Sequence, residues 1–471
     1  MNELIILGGG VSKGDLTERM LKEIENADAL YIQTERIPSA QEALSRCACA
    51  RTLDECFENA QDFDELNRLI YRALSEKGER VCYMVYGSAA DDRTARYARE
   101  RAQKDGCGVR VIPGVSLAQT ALSEADGEPD ALIMSASEYI PGALLDAARA
   151  RLYYALDSRL LASELKCGLL EYYPAQTQIK LYSAVTGRLI LIPLFEMDRQ
   201  PEDFYCHAAC AYLPPVSLEE CERYSFRQLV QIMSRLRGEN GCPWDLEQTH
   251  QSLRKYLIEE AYEAVDAVNE EDMLKLCDEL GDVLLQVVFH AQIASEHQEF
   301  DISDVITAVC AKMLRRHPHI FGSVQAQSSE DVLNNWEQIK KGEKHISSLS
   351  QMAEDLPRSM PALMRAFKLA QRLSGAFPKE AEKALDFALD DIKSIKAGII
   401  AREEPELKAG LFLLKLCAAF KCAGVQPEMA LNRACDLFIS AVKRAEAENS
   451  APLDGYSLEN ALRSVISGEI E

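Results

Sequence analysis

Glu259, Glu260 and Glu263 recur one turn apart in LIEEAYEAVD (Leu257 to Asp266), and Glu279 and Asp282 do so in DELGDVLLQVVFHA (Asp278 to Ala291). At about 3.6 residues per turn the first three fall on an arc of about 100°. Leu257, Ala261, Ala264, Val265 and Val268 make an apolar arc beside it. In the second stretch Leu280, Val283, Leu284, Leu285, Val287, Val288 and Phe289 leave one polar stripe, Glu279, Asp282, Gln286 and His290. That pattern predicts a helix buried on most sides. A bare carboxylate in such a place is costly unless a cation compensates it. Five acids converging from two helices exceed what side chains can pair, which points to a bound divalent metal. Mg²⁺ takes oxygen ligands and shares its shell with water and phosphates, so the expected chemistry is on phosphate, with Mn²⁺ as the alternative ion. The competing reading of the first stretch is a solvated acidic face; the apolar surroundings of the second weigh against it.

These acids must be positioned by long helices, and the helices begin only halfway along the chain. From Glu3 to about Pro215, short apolar runs alternate with amphipathic stretches. Glu3 to Leu7, Ala29 to Gln33, Arg80 to Tyr86, Gly108 to Ile112 and Ala131 to Met134 are predicted strands, and Asp15 to Asn26 and Asp91 to Lys104 predicted helices. This is an α/β pattern. AYLPPV (Ala211 to Val216) is the expected linker, since two prolines stop regular structure. Beyond Ser225 strand signals vanish and long 3.6-period segments follow, broken at Leu349 to Pro361. The expected domains are 1–216, 222–348 and 356–471.

Composition sets the partners. The 471 residues are 47% hydrophobic and 27% charged, ordinary for a soluble globular protein, and their number suits about three domains. A net charge of −23 argues against nucleic acid as a partner and requires local cations for any anionic substrate. The 15 cysteines lack framework spacing. Cys47/Cys49 and Cys206/Cys210 have no second half to make a zinc site, so they are expected as reduced core thiols in a cytoplasmic setting. The opening MNELIILGGG has no basic leader and long apolar core, so no signal peptide is expected. No apolar run reaches about 18 residues, so no membrane span is expected. Six of the seven histidines lie between His250 and His345, yet none forms an HExxH arrangement and a histidine-ligated metal is not expected.

The two helical portions echo each other weakly. RLRGENGCPW (Arg235 to Trp244) has its echo in RLSGAF (Arg372 to Phe377), and the two acidic helices in Leu389 to Ile395 and Leu407 to Cys417. Asp390 and Asp391 stand where Glu259 and Glu260 do, but Ser394, Lys408 and Leu411 replace Glu263, Glu279 and Asp282. The second copy keeps the helical pattern and has lost the carboxylates.

The central portion resembles the MazG family of nucleoside triphosphate pyrophosphohydrolases. The matching text is RLRGENGCPWDLEQTHQSL, EEAYE, ELGD, LRRHPHIFG (Leu314 to Gly322) and WEQIK (Trp336 to Lys340), in that order. The resemblance implies an all-α, Mg²⁺-dependent fold that cleaves nucleoside triphosphates between the α- and β-phosphates. It implies metal ligation by Glu259, Glu260, Glu263, Glu279 and Asp282, and phosphate contacts by Arg315, Arg316 and Lys340. The second helical portion resembles the repeat of two-copy members, with Ser440 and Ala441 in place of the two arginines. The first portion resembles the tetrapyrrole methylases through LGGGVSKGDLT, PGVS (Pro113 to Ser116) and FEMDRQPEDFYCHAACAYLPP (Phe195 to Pro215). The whole is thus expected as an α/β methylase-like domain followed by two MazG-like helical bundles, the second degenerate.

Site roles follow from that resemblance. Glu260 or Glu263 is the candidate general base. Arginine forks at the end of a helix suit bidentate phosphate contact, although favourable charge at a helix C-terminus is the plainer explanation. Trp244, after Cys242-Pro243, is a candidate to stack on a nucleobase or to cap the core. Lys255 precedes Glu259 by one turn and is expected to form an i,i+4 ion pair. The first domain departs from the methylase pattern where Leu7, Gly9 and Val11 stand for the family's glycines and where Gly87-Ser88-Ala89 replaces Gly-Asp-Pro. Both changes argue against S-adenosylmethionine binding. The competing functions are an S-adenosylmethionine-dependent methyltransferase and a non-catalytic nucleotide sensor. C2 pairing is the commonest closed symmetry, and a homodimer is expected.

Overall fold

The computed structural model describes residues 1–76, 78–142, 144–326, 328–343, 348–390, 392, 395–396, 404–448, 459–460, 463 and 465. Two compact units divide the chain, Met1–Ser303 and Asp304–Glu471.

The first unit opens with a parallel sheet. Its strands are β1 (Glu3–Gly8), β2 (Ala29–Ile32), β3 (Ala50–Thr52), β4 (Arg80–Val85) and β5 (Gly108–Ile112), in the order β3-β2-β4-β1-β5. Strand β1 pairs Ile5 with Cys82 on β4 and with Arg110 on β5. Alternation along β1 sends Ile5 and Leu7 into one core and Leu4 and Ile6 into another. A strand buried on both faces must be apolar throughout, which is why its signal is a run rather than an alternation. The helices of this half are α1 (Glu18–Glu25), α2 (Ala40–Arg46), α3 (Asp54–Asn59), α4 (Phe63–Glu76), α5 (Arg93–Lys104) and α6 (Leu117–Glu124). The first core takes Met20 and Ile24 of α1 and Ala118 and Ala121 of α6; the second takes Leu66, Ile70 and Leu74 of α4 and Ala95, Ala98 and Ala102 of α5.

A second sheet follows, of β6 (Leu132–Ser135), β7 (Arg151–Tyr154), β8 (Gln178–Ser183), β9 (Arg188–Pro193) and β10 (Ala209–Leu213), ordered β6-β7-β10-β8-β9. Only β6 and β7 run parallel; the other pairs are antiparallel. Helix α7 (Arg159–Leu169) buries Leu165 and Leu169 against one face. The expected linker is corrected here. Ala211, Tyr212 and Leu213 are buried in β10, at the centre of this sheet, and only Pro214 and Pro215 leave it. The prolines end a strand; they do not begin a free segment.

The remaining helices of the first unit are α8 (Phe226–Leu236), α9 (Pro243–Glu247), α10 (His250–Asn269) and α11 (Met273–Glu296). Ser225 and Gln228 cap α8 reciprocally, Thr249 and Ser252 do so for α10, and Asp272 accepts from the Leu274 and Lys275 amides at the start of α11. Met233, Leu253, Val288, Phe289 and Ile293 form the core of this bundle. Helix α11 is buried on most sides, as expected, along only part of its length. From Gln286 to Ala294 it is enclosed, but Leu280 is 53% and Leu284 40% exposed. The apolar arc of α10 divides likewise: Ala264 is buried, while Leu257 and Val268 face solvent.

Helix α12 (Ile302–Arg316) crosses the unit boundary. The second unit continues with α13 (Pro318–Phe321), α14 (Ser329–Glu343), α15 (Leu349–Glu354), α16 (Ala362–Arg372) and α17 (Ala381–Leu389), then helices Pro405–Cys422 and Pro427–Glu448. The break at Leu349 to Pro361 therefore contains a helical turn, and His317 and His319 belong to a short helix and its cap. Among the echo positions, Asp390 caps the end of α17, Lys408 and Leu411 lie in Pro405–Cys422, and Ser440 and Ala441 in Pro427–Glu448. Asp391 and Ser394 lie outside the described residues, as does His345. No single described helix is long and apolar enough to cross a membrane. All 15 cysteines are free, but Cys49, Cys167, Cys277, Cys310 and Cys435 are exposed, so a core position holds for Cys47 and Cys210 and not for Cys49.

Candidate functional site

Helices α10 and α11 form a hairpin whose turn is set by Glu271, at φ 55°, and closed by the Asp272 amide donating to the Ala267 carbonyl at 3.1 Å. The hairpin turns Glu260 and Glu263 of α10 toward Glu279 of α11. One carboxylate oxygen from each lies within 4.8 Å of the other two. Burial and the charges of Asp282 and Glu263 raise the Glu260 carboxyl above its usual range, and a hydrogen bond with Glu263 adds to this. Burial, Glu263, Asp278 and Asp282 raise Glu279, while Lys275 opposes the shift. Asp282 thus acts electrostatically on both raised acids. Glu259 is exposed and contributes least to the Glu260 shift.

The donor set consists of carboxylate oxygens, and among the described residues no ion pair engages Glu260, Glu263 or Asp282. Mutually repelling acids with no cation of their own fit a hard divalent ion. The expected ion pair between Lys255 and Glu259 is absent among the described residues; the Lys255 ammonium lies 4.5 Å from the Tyr256 ring centroid instead. The longer arm of lysine reaches an aromatic face on its own helix.

Toward the far end of the polar stripe the residues turn inward. Gln286 is buried with Oε1 unpartnered. His290 meets His250 with rings stacked at 5.0 Å and Nδ1 atoms 2.7 Å apart. Burial, and then His250, lower the His290 pKa.

Trp244 stands on the short helix α9, 52% exposed, with its ring 6.3 Å from Tyr256. What fixes α9 is Arg237, a residue whose role the sequence did not disclose. Its guanidinium binds Glu296 at 2.8 and 2.7 Å, donates to the Asp245 and Gln248 carbonyls, and lies over the Phe289 ring. The preceding turn needs glycine at position 241, because a Cβ there would meet the Leu236 carbonyl oxygen at 2.2 Å.

In the second unit, Arg315 and Arg316 end α12 and both engage Glu343 of α14. Arg315 Nε donates to one oxygen at 3.2 Å, and Arg316 Nε to the other at 3.1 Å. Trp336 places its ring under the Arg316 guanidinium at 5.2 Å and against His317 at 5.0 Å. Lys340 is half-buried on the same helix.

At the carboxyl ends of the parallel strands a cavity of about 400 Å³ opens, where α/β sheets commonly hold ligands. The glycine turn after β1 does not line it. Gly9 and Gly10 amides donate to the Val85 and Gly87 carbonyls, and Val11 and Ser12 amides to the Asp15 carboxylate. A Cβ on Gly8 would meet the Gly114 amide nitrogen at 2.3 Å. The bare backbone is used to pack two loops together, and its donors are already engaged. This turn does not fit a cradle for S-adenosylmethionine.

Comparison with known proteins agrees with both halves. Residues 248–321 match the MazG nucleotide pyrophosphohydrolase domain, and residues 3–183 match the Tetrapyrrole (Corrin/Porphyrin) Methylases. The uncharacterized protein YabN of Bacillus subtilis is 35% identical over 76% of this chain and 75% of its own length. The nucleoside triphosphate pyrophosphohydrolase of Escherichia coli is 37% identical over 49% of this chain and 92% of its own. The nucleoside triphosphate pyrophosphohydrolase/pyrophosphatase MazG of Thermotoga maritima is 41% identical over 47% and 85%. With its acidic helical hairpin behind a methylase-like α/β half, this chain belongs to the MazG family of nucleotide pyrophosphohydrolases and is a hydrolase.

Proposed function

We propose that the protein hydrolyses nucleoside triphosphates between the α- and β-phosphates, releasing nucleoside monophosphate and pyrophosphate, with Mg²⁺ or Mn²⁺ as the resident ion. The observation that carries this reading is the meeting of Glu260, Glu263 and Glu279 within 4.8 Å across two helices. Glu259, Glu260, Glu263, Glu279 and Asp282 are the residues that would hold the ion. When bound there, it supplies Lewis-acid polarisation of phosphate and a lowered pKa for water. Glu260 or Glu263 accepts the proton of the attacking water at a carboxylate oxygen as the bond from the α-phosphorus to the bridging oxygen breaks, with that oxygen leaving on pyrophosphate. Arg315, Arg316 and Lys340 neutralise the leaving phosphates, and Trp244 stacks on the base.

The three-part division 1–216, 222–348 and 356–471 belongs to the same proposal, with the last part a degenerate copy that has kept its helices and lost its acids. So does a homodimer in the cytoplasm. Exposed Leu257, Ile258, Tyr262, Leu280 and Leu284 flank the acids and suit burial against a second copy.

Incubation with a panel of nucleoside triphosphates and Mg²⁺ tests the reaction. Stoichiometric pyrophosphate and monophosphate are the expected products. Orthophosphate without pyrophosphate means attack at a different bond and rejects the assignment.

A further inference from the structure

A carboxylate sits in the second unit where the proposed reaction wants a phosphate. Glu343 places one oxygen on Arg315 and the other on Arg316, so a single anion spans both forks. The pair is unequal. Arg316 is clamped, with its side chain 12% exposed and its guanidinium over Trp336; Arg315 is 58% exposed. The Arg316 hydrogen bonds, followed by the charges of both arginines, hold the Glu343 carboxyl below its ordinary range, so it is ionised at neutral pH. Two guanidiniums facing one carboxylate leave a net positive charge in a chain whose total is −23. Guanidinium forks bind carboxylate and phosphate with the same planar, two-pronged geometry. An arriving phosphate therefore meets donors already engaged by an internal anion of the same geometry.

We propose that Glu343 is an internal competitor for the phosphates: it keeps Arg315 and Arg316 aligned while no ligand is present, and it must be displaced when the triphosphate or pyrophosphate binds. The inference rests on the reading of the two arginines as phosphate contacts. It adds a residue that sets affinity without touching the reacting atoms. Its consequence is weaker retention of pyrophosphate, which favours product release at the expense of substrate affinity.

Titration calorimetry of the full chain with inorganic pyrophosphate, alongside steady-state kinetics, tests it. Glu343→Gln keeps the shape and removes the charge. Pyrophosphate should bind at least about threefold more tightly, and KM should fall by a similar factor. Glu343→Asp, with its charge drawn back by one methylene, should move both in the same direction by less, and it serves if the Gln variant does not fold. Unchanged pyrophosphate affinity overturns the proposal. So does a rise in KM in Glu343→Gln that Glu343→Asp restores, because the carboxylate then only positions the arginines. Arg315→Ala separates the two layers of the argument. If it leaves pyrophosphate affinity and KM untouched, the phosphate-contact reading has failed; if it weakens both while Glu343→Gln has no effect, only the competitor has failed.

Discussion

Glu263 on α10 and Glu279 on α11 bring carboxylate oxygens within 4.8 Å of each other across the hairpin, with Glu260 within the same reach. Like charges this close oppose folding unless a proton or a cation intervenes. Removing one of them should therefore have opposite effects on activity and stability. Glu260→Gln and Glu279→Gln are expected to lower hydrolysis at least about 100-fold. In chelator, both should melt at or above the wild-type temperature. The sign follows from raised carboxyl pKa values: no repulsion exists when both states are protonated, and the native state is penalised as pH rises through the carboxylate range. Mg²⁺ should accordingly raise the melting temperature more at pH 7 than at pH 4. A variant that melts lower than wild type in chelator while hydrolysing normally would show the acids to be structural.

The His250–His290 contact predicts a separate pH dependence. Burial and His250 depress the His290 pKa from its ordinary 6.5, so the unfolded chain binds the proton more readily. Stability contributed by neutral His290 is fully present above about 6.5 and declines as pH falls below it. His290→Gln should flatten the slope of denaturant midpoint against pH between 6.5 and 5. An unchanged slope assigns that titration to other groups.

Arg237 ties α8, α9 and α11 together. Its side chain is 6% exposed and its carboxylate partner Glu296 is 31% exposed. Arg237→Ala strands that carboxylate and two carbonyls, and should cost about 3 kcal/mol in chemical denaturation. Because α9 carries Trp244, substrate KM should rise as well. A loss below half that size would place the brace in solvent.

Trp244 can be followed directly, since the chain has only two tryptophans. In Trp336→Phe the remaining fluorescence comes from Trp244, half open to solvent. Nucleoside triphosphate should quench it saturably, whereas inorganic triphosphate should not, because stacking needs a base. Equal quenching by both ligands would refute the base contact.

Local spacing and apolar runs show the acidic helices and the strands of the first sheet other than β3, since helical and strand periods are properties of neighbouring residues, and the order of the motifs carries the resemblance to the family. Of the second sheet only β6 is legible, because its central strand β10 pairs with β7 and β8 far back in the chain and ends in a Pro-Pro that reads as a linker. Exposure along α11 is only partly legible: a helix apolar on most sides implies a cover, and sequence does not say which turns receive it. The acids are legible as residues on two helices, but which of them meet is not. Glu260, Glu263 and Glu279 converge while Glu259 turns outward, which depends on the hairpin angle between α10 and α11. Arg237, His250 with His290, and Glu343 with the two arginines were decided only by tertiary structure. Each joins residues tens of positions apart, and distance along the chain carries no information about which charges will meet when helices pack.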